Sequence, residues 1–287
     1  MRVRWTIGED RLPERTAVMG VVNVTPDSFS DGGKFFDPNA AIAHGLRLIE
    51  EGADLLDIGG ESTRPGGGTY GAGMRPLDDE EEITRVLPVV RGLAGNGVPI
   101  SIDTRKLEVA RAALDAGATV VNDISGLTHS PELARLCAER GASLCLMHAK
   151  GEFATMQAAP HYDDLVGEIT KFLVEAAGRA EAAGVARERI AIDPGLGFGK
   201  SAAHNLELIQ RLDAFSALGY PVLIGASRKS FIGAVTGIQA PGERVAGSLA
   251  AAVVAAVRGA SIVRAHDVKA TVEALRVADA IGSSGAR

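Results

Sequence analysis

The stretch Gly117-Ala-Thr-Val-Val-Asn-Asp123 contains the pattern on which the fold prediction rests. A glycine ends the preceding helical segment, a short β-branched run follows it, and the run closes on two polar side chains. Glycine tolerates the left-handed conformation in which many helices end, so Gly117 predicts a helix C-terminus just before a strand. We therefore interpret residues 120–123 as a short strand that follows a helix.

The same pattern recurs along the chain. Strands that alternate with helical segments predict an α/β protein, and continuously apolar runs are typical of parallel strands covered on both faces. Eight such units favour a single (β/α)8 TIM barrel domain over residues 1–287, with residues 1–15 as a possible N-terminal cap. An open doubly wound sheet is the alternative. The other predicted strands are Ala17–Val24, Leu55–Ile58, Pro99–Asp103, Ser143–Met147, Ile190–Asp193, Pro221–Ile224 and Ile262–Arg264.

Composition excludes several classes of protein. The chain has 287 residues, which suits one barrel of roughly 250 residues with extensions. Its net charge of −6 and the lack of a basic run argue against a nucleic-acid or anionic-membrane surface. The longest apolar stretch, Val245–Val257, is too short to cross a bilayer, and Met1–Asp10 does not resemble a signal peptide. Cys137 and Cys145 match no metal or redox motif, so we expect a cytoplasmic protein.

Polar residues cluster where the predicted strands end. In a barrel of this type the chemistry lies at the C-terminal ends of the strands. Any one of these residues could simply cap the next helix. Together they favour a binding site, because many buried polar groups are costly unless a ligand or a network satisfies them. They are Asn23, Asp57, Asp103, Asn122, Asp123, His148, Asp193, Ser227 to Lys229, Arg264 and His266.

Two connections are long and rich in glycine. They follow the first and second predicted strands and cover residues 25–33 and 59–73. Such loops are typical of lids, with simple disorder as the alternative. A third glycine-rich segment, Gly195–Ser201, resembles a P-loop, but a proline stands where the first glycine of that motif is needed.

Several motifs in fixed order resemble those of the dihydropteroate synthases, a family of pterin-binding TIM barrels. The resemblance covers nearly the whole chain, from the first predicted strand to the last. The motifs are Met19-Gly-Val-Val-Asn-Val-Thr-Pro-Asp-Ser-Phe-Ser-Asp-Gly-Gly33, Asp57-Ile-Gly-Gly-Glu-Ser-Thr-Arg-Pro-Gly66, Ser101-Ile-Asp-Thr104, Val121-Asn-Asp-Ile-Ser125, Asp193-Pro-Gly-Leu-Gly-Phe-Gly-Lys200, Ser227-Arg-Lys-Ser-Phe231 and Arg264-Ala-His-Asp267.

The resemblance implies a transferase of folate biosynthesis. The family joins 6-hydroxymethyl-7,8-dihydropterin pyrophosphate to p-aminobenzoate, releasing 7,8-dihydropteroate and pyrophosphate, and is thought to use a dissociative route. It further implies Mg²⁺ as cofactor, sulfonamides as inhibitors and a homodimer formed through the late barrel helices. Two alternatives stay open, namely a pterin-dependent methyltransferase with a corrinoid partner and an inactive pterin-binding paralogue. The pyrophosphate residues given below would distinguish the synthase from the methyltransferase.

The resemblance also assigns roles to individual residues. The implied catalytic residues are Asn23, Thr63, Arg64, Lys229, Arg264 and His266. All of these except Lys229 would bind pyrophosphate, and Asn23 would also bind the metal ion. The implied pterin residues are Asp103, Asn122, Ile124, Met147, Asp193, Phe198, Gly225 and Lys229. The implied p-aminobenzoate residues are Phe29, Thr63, Pro65, Phe198 and Ser230.

One departure from the family pattern bears on the site. The segment Met147-His-Ala-Lys-Gly151 stands where the family usually reads Met-His-Met-Gln-Gly. Because this segment follows the fifth predicted strand, we expect Ala149 and Lys150 to lie at the rim of the pterin site.

Overall fold

The protein folds as a (β/α)8 barrel, which confirms the fold prediction. The computed structural model describes residues 3–25, 37–61, 77–151, 156 and 159–284. Eight parallel strands form one sheet, and a single parallel bridge between Ile192 and Val222 joins its two ends. In chain order the barrel strands are β3 (Ala17–Asn23), β4 (Leu55–Gly59), β5 (Ile100–Asp103), β6 (Val120–Asp123), β7 (Ser143–Met147), β8 (Ile190–Asp193), β9 (Leu223–Ile224) and β10 (Ile262–Ala265); a separate antiparallel pair, β1 (Thr6–Ile7) and β2 (Asp10–Arg11), precedes them.

Helices follow the barrel strands and cover the outer face of the sheet. Two short 3-10 turns, Arg187–Arg189 and Pro241–Glu243, precede β8 and α9. The helices are α1 (Pro38–Glu50), α2 (Asp79–Leu93), α3 (Leu107–Asp115), α4 (Leu133–Arg140), α5 (Leu165–Ala182), α6 (Ala202–Gln210), α7 (Asp213–Ser216), α8 (Ser230–Thr236), α9 (Val245–Val257) and α10 (Val268–Ser284). Within the described ranges, none of them is long and apolar enough to span a bilayer.

Side chains along each barrel strand point alternately to the helices and into the barrel, and this alternation produces two separate cores. Successive side chains of a strand point to opposite faces, so every second residue points into the barrel. The outward residues, such as Val18, Leu56 and Val121, pack in one large cluster with the helices. The inward residues near the strand N-termini form a second cluster together with Trp5 and its neighbours. Trp5, Ile7, Leu12, Ala17, Met19, Leu55, Val120, Cys145, Ala191, Leu223 and Ile262 make up this second cluster.

The N-terminal segment thus fills the end of the barrel opposite to the strand C-termini. Trp5 is fully buried, and its indole Nε1 donates to the backbone oxygen of Arg189 at 2.9 Å. Ser143 and Ser261, just before or at the start of two barrel strands, donate through their hydroxyls to backbone oxygens of Thr6 and Val3. This end is closed by buried apolar side chains, so the opposite mouth is the end of the barrel that remains for chemistry.

Most predicted strand limits agree with the structure to within one residue. All of the glycines that were expected to end helices have positive φ, and Gly141 is the left-handed cap of α4. The largest difference is in β9, which was expected to begin at Pro221 but begins at Leu223. Proline has no N–H to donate to a neighbouring strand, and Val222 pairs with β8 only through an isolated bridge to Ile192 while its own N–H donates to the Ser261 hydroxyl.

Asp123 stabilises the turn that follows β6. It is fully buried and points outward, away from the barrel mouth. Its carboxylate accepts hydrogen bonds from the backbone N–H groups of Ser125 (2.8 Å) and Leu127 (2.6 Å) and from the Ser125 hydroxyl (2.6 Å). Leu127 has a φ of 65°, which is unusual for a residue with a side chain. The carboxylate therefore holds a backbone conformation that would otherwise be unfavourable.

We expect Asp123→Ala to lower the free energy of unfolding by about 3 kcal/mol, because buried donors lose a charged acceptor. Urea denaturation of the purified protein measures this change. Asp115→Ala is the matched control, since Asp115 forms an exposed ion pair with Arg140 that should contribute less than about 1 kcal/mol. Equal losses in the two variants would show that the turn after β6 does not depend on Asp123.

Candidate active site at the barrel mouth

A partly buried ion cluster crosses the mouth of the barrel. Arg264 of β10 donates through Nε to Oδ2 of Asp57 at 2.6 Å and through Nη2 to Oδ2 of Asp103 at 3.0 Å. Asn122 donates through Nδ2 to the same Asp57 oxygen at 3.1 Å. Four strands, β4, β5, β6 and β10, are therefore connected by side chains at one level of the barrel.

The alternation of the strands explains why these residues meet. Asp57, Asn122 and Arg264 lie two positions after Leu55, Val120 and Ile262, which point inward at the closed end. In the parallel register, Asp103 pairs with both Gly59 and Asn122, so it lies at the same end of the barrel. The inward side chains thus change from apolar at the bottom to polar at the mouth. The same rule separates Asn122, which points inward, from its neighbour Asp123, which does not.

Asp57 lies at the centre of this cluster. It is fully buried, and a buried carboxylate is stable only with close partners. Its Oδ2 atom accepts from both Arg264 and Asn122, whereas Oδ1 has no hydrogen-bond partner among the described residues. A buried acceptor of this kind indicates that a water molecule or ligand donates to it.

The charges of the cluster depend on one another. Burial raises the pKa of Asp103, the negative charge of Asp57 raises it further, and Arg264 opposes both effects. Burial alone would lower the pKa of Arg264, but Asp57 and Asp103 more than offset this and raise it. Arg264 therefore stays charged and keeps one buried and one partly buried carboxylate close to each other.

A second charged pair lies across the mouth, on β8 and at the start of α8. Asp193 accepts from the backbone N–H of Gly195 at 2.7 Å through Oδ1. Burial raises the pKa of Asp193, and the nearby Lys229 opposes this shift. Burial lowers the pKa of Lys229 to about 8, although Asp193 opposes the change. The Lys229 ammonium donates to the backbone oxygen of Leu196 and lies 4.6 Å from the centre of the Phe198 ring.

An apolar wall stands beside Asp193. Ile124, Met147 and Met156 form a small buried cluster, separate from the two large cores, and Phe198 and Ala149 pack against it. Met147 pairs with Asp193 in the register of β7 and β8, so this wall adjoins the carboxylate. A planar heterocycle could stack on the wall while its polar edge faces Asp193.

Cationic and hydroxyl groups lie on the β9 and β10 side. The Ser227 hydroxyl is 3.0 Å from Nδ1 of His266 and accepts from the His266 backbone N–H at 3.2 Å. The next residue, Arg228, donates to both carboxylate oxygens of Asp267 at 2.6 and 3.0 Å. This second arginine is thereby occupied within the fold, whereas Arg264 belongs to the ion cluster and His266 is held by Ser227.

The remaining expected site residues have different surroundings. Asn23 ends β3 and is partly buried, and it pairs with Gly59 of β4. Gly225 lies beside Arg264, and a Cβ there would be 3.8 Å from that of Arg264. Ser230 begins α8 and is exposed. Phe29, Thr63, Arg64 and Pro65 lie outside the described residues.

The departure at Ala149 and Lys150 does not add a cation to the apolar wall. Ala149 packs on the wall, whereas the Lys150 ammonium donates to Glu168 and to the backbone oxygen of His161, both at 2.8 Å. The same ammonium lies 4.1 Å from the centre of the Tyr162 ring. Lys150 therefore connects the end of β7 to the start of α5.

Three residues are more important in the structure than the sequence indicated. Asp57 was recognised as polar but received no role, although its position two residues after Leu55 predicts that it points inward. His148 and Lys200 were given no role either, yet they contact each other behind Phe198 with Nζ to Nδ1 at 3.0 Å. No local pattern links two residues that are so far apart in sequence.

Comparison with known proteins identifies the family. Residues 19–266 match the model of the family described as pterin binding enzyme. The dihydropteroate synthase of Escherichia coli K12 is 47% identical over 264 residues, which is 92% of this chain and 90% of that protein.

Solved structures agree in both fold and sequence. A Xanthomonas albilineans dihydropteroate synthase with 4-aminobenzoic acid is 49% identical with a TM-score of 0.89, covering 98% of this chain and 99% of that chain. A Yersinia pestis dihydropteroate synthase in complex with a sulfonamide drug is 43% identical with the same TM-score of 0.89 and the same coverage of 98% and 99%. Because both the family model and these relatives span most of the chain, this chain belongs to the dihydropteroate synthases of the pterin binding enzyme family.

Proposed function

We propose that the protein condenses 6-hydroxymethyl-7,8-dihydropterin pyrophosphate with p-aminobenzoate to give 7,8-dihydropteroate and pyrophosphate. The observation that carries the proposal is the single polar layer at the barrel mouth. In that layer Asp57 and Asp103 accept hydrogen bonds from the cation Arg264, and Asp193 adjoins the apolar wall. This combination suits a flat, donor-rich heterocycle that bears a charged leaving group.

The pterin binds between the apolar wall and the carboxylates. Its guanidine-like edge presents two N–H groups, and a carboxylate accepts both in one plane. Asp193 takes this role, because it lies beside Met147 and has Lys229 nearby to keep it charged. Asp103 and Asn122 contact other ring nitrogens, and Lys229 donates to the pterin oxygen. Ile124 and Phe198 complete the stack, and Gly225 leaves space beside Arg264.

The pyrophosphate lies on the side of β3 and β10. Arg264 and His266 supply donors to its oxygens, at the end of the barrel where phosphate groups commonly bind. Both side chains are held by the fold, Arg264 by two carboxylates and His266 by Ser227. Preorganised donors stabilise developing negative charge without having to rearrange during the reaction. Thr63 and Arg64 are proposed on the family resemblance alone.

Asn23 is the residue that would bind Mg²⁺ in this site. Magnesium takes hard oxygen ligands, keeps several waters and bridges phosphate oxygens, so one or two protein oxygens suffice. The amide of Asn23 offers such an oxygen at the end of β3. Across the described ranges, no group of three or more His, Cys, Asp or Glu residues is placed to hold a metal ion. When bound with the substrate, the ion would offset leaving-group charge.

The reaction is a substitution at the methylene carbon of the pterin. The carbon–oxygen bond breaks first, and pyrophosphate leaves with the electron pair. The resulting cation is stabilised by conjugation with the pterin ring, which Asp193 and Asp103 surround with negative charge. The amine nitrogen of p-aminobenzoate then forms the new bond and loses a proton to solvent or to pyrophosphate. This dissociative route needs no activated nucleophile, which agrees with a mouth built from binding groups.

p-Aminobenzoate binds over the pterin methylene group. Phe198 forms one wall, and Ser230 at the exposed start of α8 contacts the carboxylate. Phe29, Thr63 and Pro65 complete the pocket in the family pattern. Sulfonamides mimic p-aminobenzoate, and one is bound to the similar Yersinia pestis protein, so we infer that they compete for the same pocket here.

Two further expectations concern the whole molecule. A homodimer formed through the last helices of the barrel is supported by large apolar side chains on α9 and α10 that are exposed to solvent. The exposed fraction is 70% for Val257 and 69% for Ile281. The cytoplasmic location stays a prediction from the sequence. The methyltransferase alternative is disfavoured because the relatives are dihydropteroate synthases and because the chain carries Arg264 and His266, the residues proposed to bind pyrophosphate.

The proposed function predicts Mg²⁺-dependent formation of 7,8-dihydropteroate from the two substrates. A steady-state assay that measures release of both 7,8-dihydropteroate and pyrophosphate tests it directly. Chelation of the metal should reduce the rate at least about a hundredfold, because leaving-group charge would be left uncompensated. Asn23→Ala should need a higher Mg²⁺ concentration for half-maximal rate, whereas Asn39→Ala, in the exposed first turn of α1, should not. Pterin binding without turnover in the complete mixture would support the inactive paralogue instead.

A second prediction concerns Asp193. Asp193→Asn retains an oxygen that can accept from Gly195, so the turn should survive, but the charge that binds the pterin is lost. We expect pterin affinity to fall about 30-fold, which corresponds to about 2 kcal/mol for a charged hydrogen bond. Calorimetric titration with the pterin substrate measures the change, with Asp213→Asn on the exposed α7 as the control. Unchanged affinity in Asp193→Asn would remove this carboxylate from the pterin site.

A further inference from the structure

Lys200 is a buried lysine that the mechanism above does not use. Only 2% of its surface is exposed, and it directly follows the glycine-rich turn that begins at Asp193. Its ammonium donates to Nδ1 of His148 at 3.0 Å, to the backbone oxygen of His148 at 3.3 Å and to that of Phe198 at 2.9 Å. A buried ammonium has three donors, and all three are satisfied here.

All three acceptors of Lys200 are uncharged. His148 lies edge-on against Phe172, with ring centres 5.0 Å apart. Burial and the charge of Lys200 lower the pKa of His148 to about 3. The imidazole is therefore neutral, and its Nδ1 atom can accept the hydrogen bond from Lys200. Burying a cation among neutral groups is expensive. A side chain buried at such a cost indicates a role for Lys200 beyond filling the core.

The contacts of Lys200 join two segments of the barrel mouth. One is the end of β7 at His148, and the other is the turn from Asp193 to Lys200. The two segments lie so close that a Cβ on Gly195 would collide with the His148 backbone oxygen, and one on Gly199 with that of Lys150. The Tyr162 hydroxyl donates to the Gly199 backbone oxygen at 2.9 Å and holds the same turn from outside.

This turn also determines the position of Asp193 and Phe198, two residues that are proposed to bind the substrates. Its first residue, Asp193, is bound by the backbone N–H of Gly195, and Phe198 is bound through its backbone oxygen by Lys200. We propose that Lys200 is a positioning residue that holds this turn against the end of β7, so that Asp193 and Phe198 keep the arrangement that both substrates require. This inference rests on the proposed function.

The surrounding charges agree with the inference. Burial lowers the pKa of Lys200 to about 7, Asp193 opposes this, and Lys229 and Lys150 add to it. Lys200 in turn lowers the pKa of Asp193, although burial dominates that carboxylate. Lys200 and Asp193 therefore favour each other's charged form across the turn. Glu168 of α5 acts in addition on His148 and raises its pKa slightly against the dominant burial.

The test uses Lys200→Met, which keeps the length and apolar stem of the side chain and removes its donors. Lys200 does not touch the reacting atoms, so its loss should weaken binding more than the chemical step. We expect the KM for p-aminobenzoate and the Kd for the pterin each to rise about tenfold, while kcat stays within about threefold. Lys171→Met, on the exposed face of α5, is the matched control and should change neither value.

A pair of variants at His148 tests the same contact from the other side. His148→Leu removes the side-chain acceptor and should raise the same two constants, whereas His148→Asn retains an acceptor near the position of Nδ1 and should restore most of the affinity. Because the two residues form one contact, the double variant Lys200→Met/His148→Leu should be little worse than either single variant. If Lys200→Met does not fold, the comparison of His148→Leu with His148→Asn tests the inference in its place.

Three results would overturn the inference. They are unchanged KM and Kd in folded Lys200→Met, a loss of kcat alone, and equal constants for His148→Leu and His148→Asn. Failure of the proposed function would look different, because the unmodified protein would then form no 7,8-dihydropteroate. The pterin Kd would still report the effect of Lys200 in that case.

Discussion

The pairing of Arg264 with the buried Asp57 and the partly buried Asp103 is the interaction on which the mouth of this barrel depends. Its hydrogen bonds of 2.6 and 3.0 Å connect β10 to β4 and β5 across the interior. Two buried carboxylates so close together would repel each other, and one would take up a proton without the guanidinium. Arg264 thus allows negative charge to accumulate where, in the proposed function, the donor-rich pterin ring would bind and its cation would form, and the same side chain would bind the leaving group.

The alternation of strand side chains makes such a layer possible. Trp5 and the apolar residues around it close one end of the barrel, and the next inward layer carries the polar groups. A residue such as Asp123, one position away from Asn122, points to the helices and stabilises a turn instead. Binding groups and fold-stabilising groups therefore alternate along the same short strands, and a shift of one residue would exchange their roles.

The sequence predicts the barrel well, because its evidence is local and repeated. Gly117, Gly141 and similar glycines end helices, and the following apolar runs are strands with nearly the expected limits. The contacts inside the mouth could not be predicted in this way. Arg264 contacts Asp57, which is 207 positions away in the sequence, and Lys200 contacts His148, which is 52 positions away. Such pairings depend on how the barrel closes, and the roles of Thr63 and Arg64 rest on the family resemblance alone.

A double-mutant cycle on Arg264 and Asp57 tests the central claim most directly. Urea unfolding of Arg264→Met, Asp57→Asn and the double variant gives the coupling free energy between the two side chains. Arg264→Met alone should lose about 3–5 kcal/mol, because it leaves buried carboxylates uncompensated. The double variant should recover a large part of that loss, since Asp57 no longer brings a charge. Losses that simply add would contradict the claim that the mouth is organised around this ion pair.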